Sequence, residues 1–123
     1  MTDKINPIKI KIEEDDIVYT LEFSRETVIF TNNQGFVRSQ FYDRFEEMLP
    51  ILFYGAFRMH HKKVSRNETD RILNEVLRGL KEDELSRLLE LYLAPRNALI
   101  RDEDDEEDDD DENSKNCRAT VIL

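Results

Sequence analysis

Residues 43–63, DRFEEMLPILFYGAFRMHHKK, limit what this chain can fold into more than any other stretch. The apolar side chains fall at Phe45, Met48, Leu49, Leu52, Phe53, Ala56 and Phe57, and His60 continues the series. Alternating steps of three and one put them all on one face of a helix. Asp43 and Glu46 have the spacing of a capping box, which would start the helix at its polar end. No charge occurs among the ten residues 48–57, and Ile51 and Tyr54 lie off the main stripe. A helix that is apolar nearly all round needs cover on more than one side. Ten uncharged residues are also too few to cross a bilayer. This is therefore the expected central core helix. Pro50 removes a backbone donor and crowds the carbonyl of Glu46. Either the helix kinks there, or its regular part begins near Leu49 with the proline in the first turn.

The flanking segments supply the cover. Ile8, Ile10 and Ile12 alternate with Lys9, Lys11 and Glu13, and Tyr19, Leu21 and Phe23 alternate with Val18, Thr20 and Glu22. Two such runs joined by Glu14-Asp15-Asp16 read as a β-hairpin. A lone hairpin is marginal in water, so its apolar face must rest on helices. Residues 24–36, SRETVIFTNNQGF, carry two signals. Ser24 is placed to cap a short helix ending at Gly35, whereas Val28, Ile29, Phe30 and Thr31 favour strand by propensity, with NNQG as a turn. Pattern alone leans towards strand.

After the core helix, Ser65 to Glu68 forms a second capping box, followed by helical spacing in Ile72, Leu73, Val76, Leu77 and Leu80. Gly79 ends or kinks that helix. A last helix spans about Glu82 to Tyr92, with Leu85, Leu88, Leu89 and Tyr92 on one face and Leu91 and Leu93 off it. Pro95 bends or ends it, and Arg96 to Ile100 form one further turn. The short loops between helices favour antiparallel neighbours. The expected fold class is α+β: an N-terminal β-hairpin packed on a small, mostly helical bundle over residues 1–101, then a disordered acidic tail over residues 102–123.

Charge separates those two parts. The formal net charge is −10, but residues 102–112 are eleven consecutive acids, DEDDEEDDDDE. Against Lys115 and Arg118 they leave the tail at −9; 16 bases against 17 acids leave residues 1–101 at −1. Negative charge following a helix C-terminus opposes the macrodipole, and adjacent carboxylates repel, so this block is expected to be solvated and extended beyond the helices. Its expected uses are solubility or electrostatic shielding first, then contact with a basic partner surface in imitation of nucleic acid. Without a rigid cage it holds divalent ions poorly. Direct nucleic-acid binding has the wrong sign of charge.

No constellation points to catalysis. The single cysteine, Cys117, excludes an internal disulfide and fits a reducing compartment. His60 and His61 are adjacent and so point about 100° apart on a helix, unable to share a metal as an i, i+4 pair would. The expectation is His60 at the core edge and His61 in water. No phosphate loop, HExxH, calcium loop or nucleophile elbow occurs, and the N-terminus has neither the basic region nor the apolar run of a secretory signal. The expected protein is not an enzyme and takes no cofactor or metal. What remains is apolar surplus: Ile51, Tyr54, Met59, Leu91 and Leu93 exceed what one small core readily hides. They are the candidate partner-binding residues, marking either a homo-oligomer or a groove for a partner helix.

Four segments carry a family likeness: YTLEFSRETV (Tyr19 to Val28), QGF (Gln34 to Phe36), MLPILFYGAF (Met48 to Phe57) with His60-His61, and LLELYLAPRNALI (Leu88 to Ile100). In this order they resemble the tail assembly chaperones encoded among the tail genes of siphophages and related prophages of Gram-positive bacteria. LP-x-LF-x-GAF and ELY-x-x-P are the more specific parts. The family usually has a more helix-favouring stretch where this chain has VIFTNN. The acid run and the CRATVIL ending have no counterpart in the likeness. The resemblance implies a short helix for residues 24–34 and a non-catalytic protein of the host bacterial cytoplasm. Its implied partner is the long, hydrophobic tape measure protein, coated until tail tube protein polymerises around it. It implies no membrane and no direct nucleic-acid contact. An acidic DNA-mimic inhibitor, or another phage-encoded interaction protein acting through residues 102–112, is the alternative.

Overall fold

Alternation and a polar turn produce the first unit. Strands β1 (Ile8–Ile12) and β2 (Ile17–Leu21) pair antiparallel, with Ile8 opposite Leu21, Ile10 opposite Tyr19 and Ile12 opposite Ile17. The computed structural model describes residues 5–101, so the acidic tail expected over 102–123 lies outside the described residues. Ile10, Ile12 and Leu21 are buried, while Lys9, Lys11 and Val18 face water. Among the described residues four α-helices follow the hairpin, and the fold is α+β as its pattern implies.

Helix α1 (Arg25–Asn33) settles the divided signal of residues 24–36. Ser24 caps it reciprocally: the Thr27 backbone N–H donates to Ser24 Oγ at 3.2 Å, and the Ser24 N–H donates to Thr27 Oγ1 at 2.8 Å. A cap of this kind is worth about 1 kcal/mol, enough to offset the few tenths per residue that the β-branched run gives away in a helix. The helix ends at Gln34, one residue before Gly35.

Helix α2 (Phe45–Arg58) is the core element and touches α1, β2 and the two later helices. Leu52 and Ala56 are fully buried, and Phe53 and Phe57 almost so. Its start differs from the expected capping box. Arg44, not Asp43, is the N-cap, and it makes no side-chain capping bond. The chain winds in through a 3₁₀ turn (Arg38–Gln40) anchored by buried Phe41, with the Arg44 N–H donating to the Gln40 carbonyl at 2.8 Å. That entry leaves Asp43 exposed one residue before the cap. Because the helix is regular from Phe45, Pro50 falls in its second turn rather than its first. The carbonyl deprived of its donor belongs to Glu46, an exposed residue where water can serve it.

Helix α3 (Arg66–Arg71) is capped by Ser65, whose Oγ accepts from the Glu68 N–H at 3.1 Å. The other half of the expected box is not made, because the Glu68 carboxylate pairs with Arg71 at 2.8 Å. The chain then widens into a π-helical turn (Ile72–Val76), with the Leu77 N–H reaching back to the Ile72 carbonyl at 2.8 Å. The wider turn breaks the α-helical spacing. Ile72 and Leu73 stay in the core while Val76 is 37% exposed, against the single face expected for both. Helix α4 (Glu82–Asn97) runs through Pro95 instead of stopping near Tyr92. The proline forfeits only its bond to the Leu91 carbonyl, and the ladder resumes with Ala98 N–H to Ala94 at 3.0 Å.

Candidate partner-binding surface

The surface is framed by the crossing of α1 and α2. Gly55 sits where the two helices touch: a Cβ there would lie 2.8 Å from Thr31 Cβ and 2.9 Å from Thr31 Cγ2, and closer still to Oγ1. Thr31 is fully buried, and its hydroxyl donates to the Thr27 carbonyl at 2.7 Å. A threonine whose hydroxyl is satisfied within its own helix can press that oxygen and its Cβ against a glycine. The inward face of α1 is therefore Thr27 and Thr31, which leaves Ile29 54% exposed.

The five sequence-derived residues divide. Ile51 and Tyr54 are half-buried on α2 along its border with α1. Tyr54 packs against Phe30, ring centroids 5.6 Å apart, and the Arg58 guanidinium lies 4.4 Å over the same Phe30 ring. Met59 is exposed just past the end of α2. Leu93 is half-buried in a shallow cleft of about 300 Å³ between α1 and α4, shared with Val28, Asn32, Arg38, Tyr92 and Arg96. Leu91 is the correction. It is 2% exposed and belongs to the core, because the buried face of α4 is Leu88, Leu91 and Tyr92 and is rotated from the expected stripe.

Several exposed apolar residues escaped the sequence reading: Ile29, Val37, Tyr42, Leu99 and Ile100. Tyr42 is 78% exposed although it stacks edge-on against Phe41 at 4.9 Å. Ile29 was legible only once α1 is a helix, two residues from each inward threonine. Tyr42 carried no signal, since its segment has no periodicity.

The polar groups here are structural. Tyr92 donates to Asn32 Oδ1 at 2.6 Å across the α1–α4 contact, and burial pushes its phenol above its ordinary range. The two histidines reverse their expected places. His61 is half-buried, its ring 5.0 Å from Tyr19 and 6.3 Å from Phe57, and its Nε2 accepts from the Thr20 N–H at 2.9 Å. His60 is the exposed one and meets Glu22 at 2.8 Å. The turn after Arg58 carries His61 round towards β2, where a backbone N–H awaits it. Burial, then the neighbouring His60, lowers the pKa of His61.

A second cleft, of about 190 Å³, lies along β1. Ile8, Lys9, Ile10 and Lys11 form one wall, Leu77, Leu80, Glu84 and Leu88 the other, with Leu21 and Phe53 beneath. Among the described residues no group of three or more His, Cys, Asp or Glu side chains is placed to hold a metal ion, and no helix is long and apolar enough to cross a membrane.

No curated protein and no solved structure matches the chain. A family profile does match, over residues 1–121, and so spans the hairpin, the helices and most of the acidic segment. By that match the chain belongs to the family described as a domain of unknown function, DUF5055.

Proposed function

We propose that this protein is a non-catalytic tail assembly chaperone of the host bacterial cytoplasm, holding a tape measure protein soluble while tail tube protein assembles. The observation that carries the reading is the apolar surface about the α1–α2 and α1–α4 borders. There Ile51, Tyr54 and Leu93 are half-buried. Groups of this kind suit the apolar stripe of a long client helix. The segment that most resembles the chaperones, MLPILFYGAF, lies wholly within α2 and supplies two of those residues. Co-expression with the tape measure protein should yield a soluble complex that co-purifies. A client that stays insoluble, with no complex recovered, would count decisively against the reading.

The eleven consecutive acids support a second reading, a mimic of nucleic acid that occupies a basic groove on another protein. Activity would then reside in residues 102–112 and survive substitutions at Tyr54 and Leu93. Under the chaperone reading those substitutions lower client capture and the acids are dispensable for it.

A further inference from the structure

The two edges of the hairpin differ. The Thr20 N–H donates to His61 Nε2 at 2.9 Å and the Glu22 N–H donates to the Ala56 carbonyl at 3.0 Å, so the end of α2 closes the outer edge of β2. Antiparallel pairing alternates the residues whose backbone groups face the partner strand. Since Thr20 faces α2, its partner Lys9, and likewise Lys11, turn their N–H and C=O groups away from β2. Among the described residues those four groups have no hydrogen-bond partner, and no strand lies beside β1 but β2. Such an edge is a template for an added strand. The apolar cleft between β1 and Leu77, Leu80 and Leu88 lies next to it. An apolar cavity of about 150 Å³ already accepts a benzene-sized group, so a cleft of about 190 Å³ has room for aliphatic side chains.

We propose that residues 119–123 of this same chain, ATVIL, add to β1 as a third strand, hydrogen-bonding Lys9 and Lys11 and seating Val121 and Leu123 in the cleft. The run is uncharged and rich in β-branched residues, and alternation puts Ala119, Val121 and Leu123 on one side. The tether is long enough. Helix α4 carries the chain away from the cleft by about 1.5 Å per residue, so from Glu84 to Arg101 the tail must return roughly 25 Å. The residues 102–118 between them have a relaxed span of about 23 Å and reach at most roughly 58 Å. Tethering also raises the local concentration of the strand to about the millimolar range. A second copy of the chain fits less well. Symmetric antiparallel pairing of two β1 strands about Ile10 sets Lys9 against Lys11 twice, whereas ATVIL opposes no charge to either. The family match, which runs to residue 121, includes part of the proposed strand.

Amide hydrogen exchange on the full chain tests the assignment. The Lys9 and Lys11 amides should exchange about tenfold or more slowly than open amides. In the double variant Val121→Asp, Leu123→Asp they should exchange like open amides, while Ile8, Ile10 and Ile12 keep their protection and show that the hairpin is intact. Unprotected Lys9 and Lys11 amides in the unaltered chain overturn the proposal, as does protection that the double variant leaves unchanged. Protection that rises with protein concentration assigns the edge to a second copy, and overturns it too.

Discussion

At the scale of single residues, Gly55 and His61 carry the most structural information. Gly55→Ala would gain up to about 1 kcal/mol of helix propensity, but its methyl must displace Thr31, which is fully buried and β-branched. Overpacking of that kind costs about 1–3 kcal/mol, so the net effect should be destabilising. In a Thr31→Ala background the Oγ1 and Cγ2 contacts are gone and only the Cβ, 2.8 Å away, remains in the way, so the same substitution should cost clearly less. Denaturant unfolding of the four chains of the cycle measures that coupling. His61 makes a different prediction. Its folded-state pKa lies below the unfolded value of about 6.5, because burial disfavours the charged imidazolium and the neighbouring His60 adds repulsion. The unfolded chain therefore binds more protons as pH falls, and His61's contribution to stability is complete above about pH 6.5 and lost as pH drops through the lower folded pKa. Melting temperature between pH 8 and pH 5 should fall more steeply for the unaltered chain than for His61→Phe, which leaves the nearby His60–Glu22 pair in place. Parallel curves would sink this account.

At the scale of elements, the chain ends α3 and its π turn through two consecutive residues of positive φ, Arg78 at 58° and Gly79 at 99°. The Gly79 N–H then closes onto the Leu73 carbonyl at 2.9 Å. A Cβ on Gly79 would meet nothing within 4 Å, so any penalty of Gly79→Ala is purely conformational. It should cost about 1–2 kcal/mol in urea unfolding, with an unchanged m-value. Elements of this chain were legible where one periodicity ran unopposed. The isoleucines of β1 and the stripe of α2 place the hairpin and the core helix within a residue or two. Three features were hidden for physical reasons. The inward face of α1 is threonine, not aliphatic, so its helical period is invisible to hydropathy. The π turn inserts a residue's worth of rotation that no spacing rule anticipates. Pro95 reads as a stop, yet dropping one bond late in α4 is cheaper than abandoning the packing on either side of it. Of the candidate residues, the off-stripe Ile51, Tyr54 and Leu93 are half-buried and Met59 is exposed. Leu91 was misplaced because α4 is rotated about its axis by contacts made elsewhere in the fold.

At the scale of the whole molecule, stability and partner capture should separate by burial. Leu91→Ala opens a cavity in the core and should cost about 2–5 kcal/mol. Tyr54→Asp with Leu93→Asp alters half-buried positions and should lower client recovery in co-expression while the melting temperature falls by only a few degrees. The acid run belongs to this scale as well, since residues 1–101 are nearly neutral without it. A near-neutral protein with exposed Ile29, Tyr42, Leu99 and Ile100 has little to oppose self-association. Eleven carboxylates supply a repulsion that acts within roughly 8 Å at physiological ionic strength and fades as salt is added. Replacing them with Asn and Gln should therefore bring on precipitation at protein concentrations the unaltered chain tolerates, and high salt should abolish the difference between the two. Capture of the tape measure protein should persist at dilute concentration, because the apolar borders of α1, α2 and α4 are untouched. Loss of a partner together with the acids, with solubility unaffected, would move the working surface from the helices to residues 102–112.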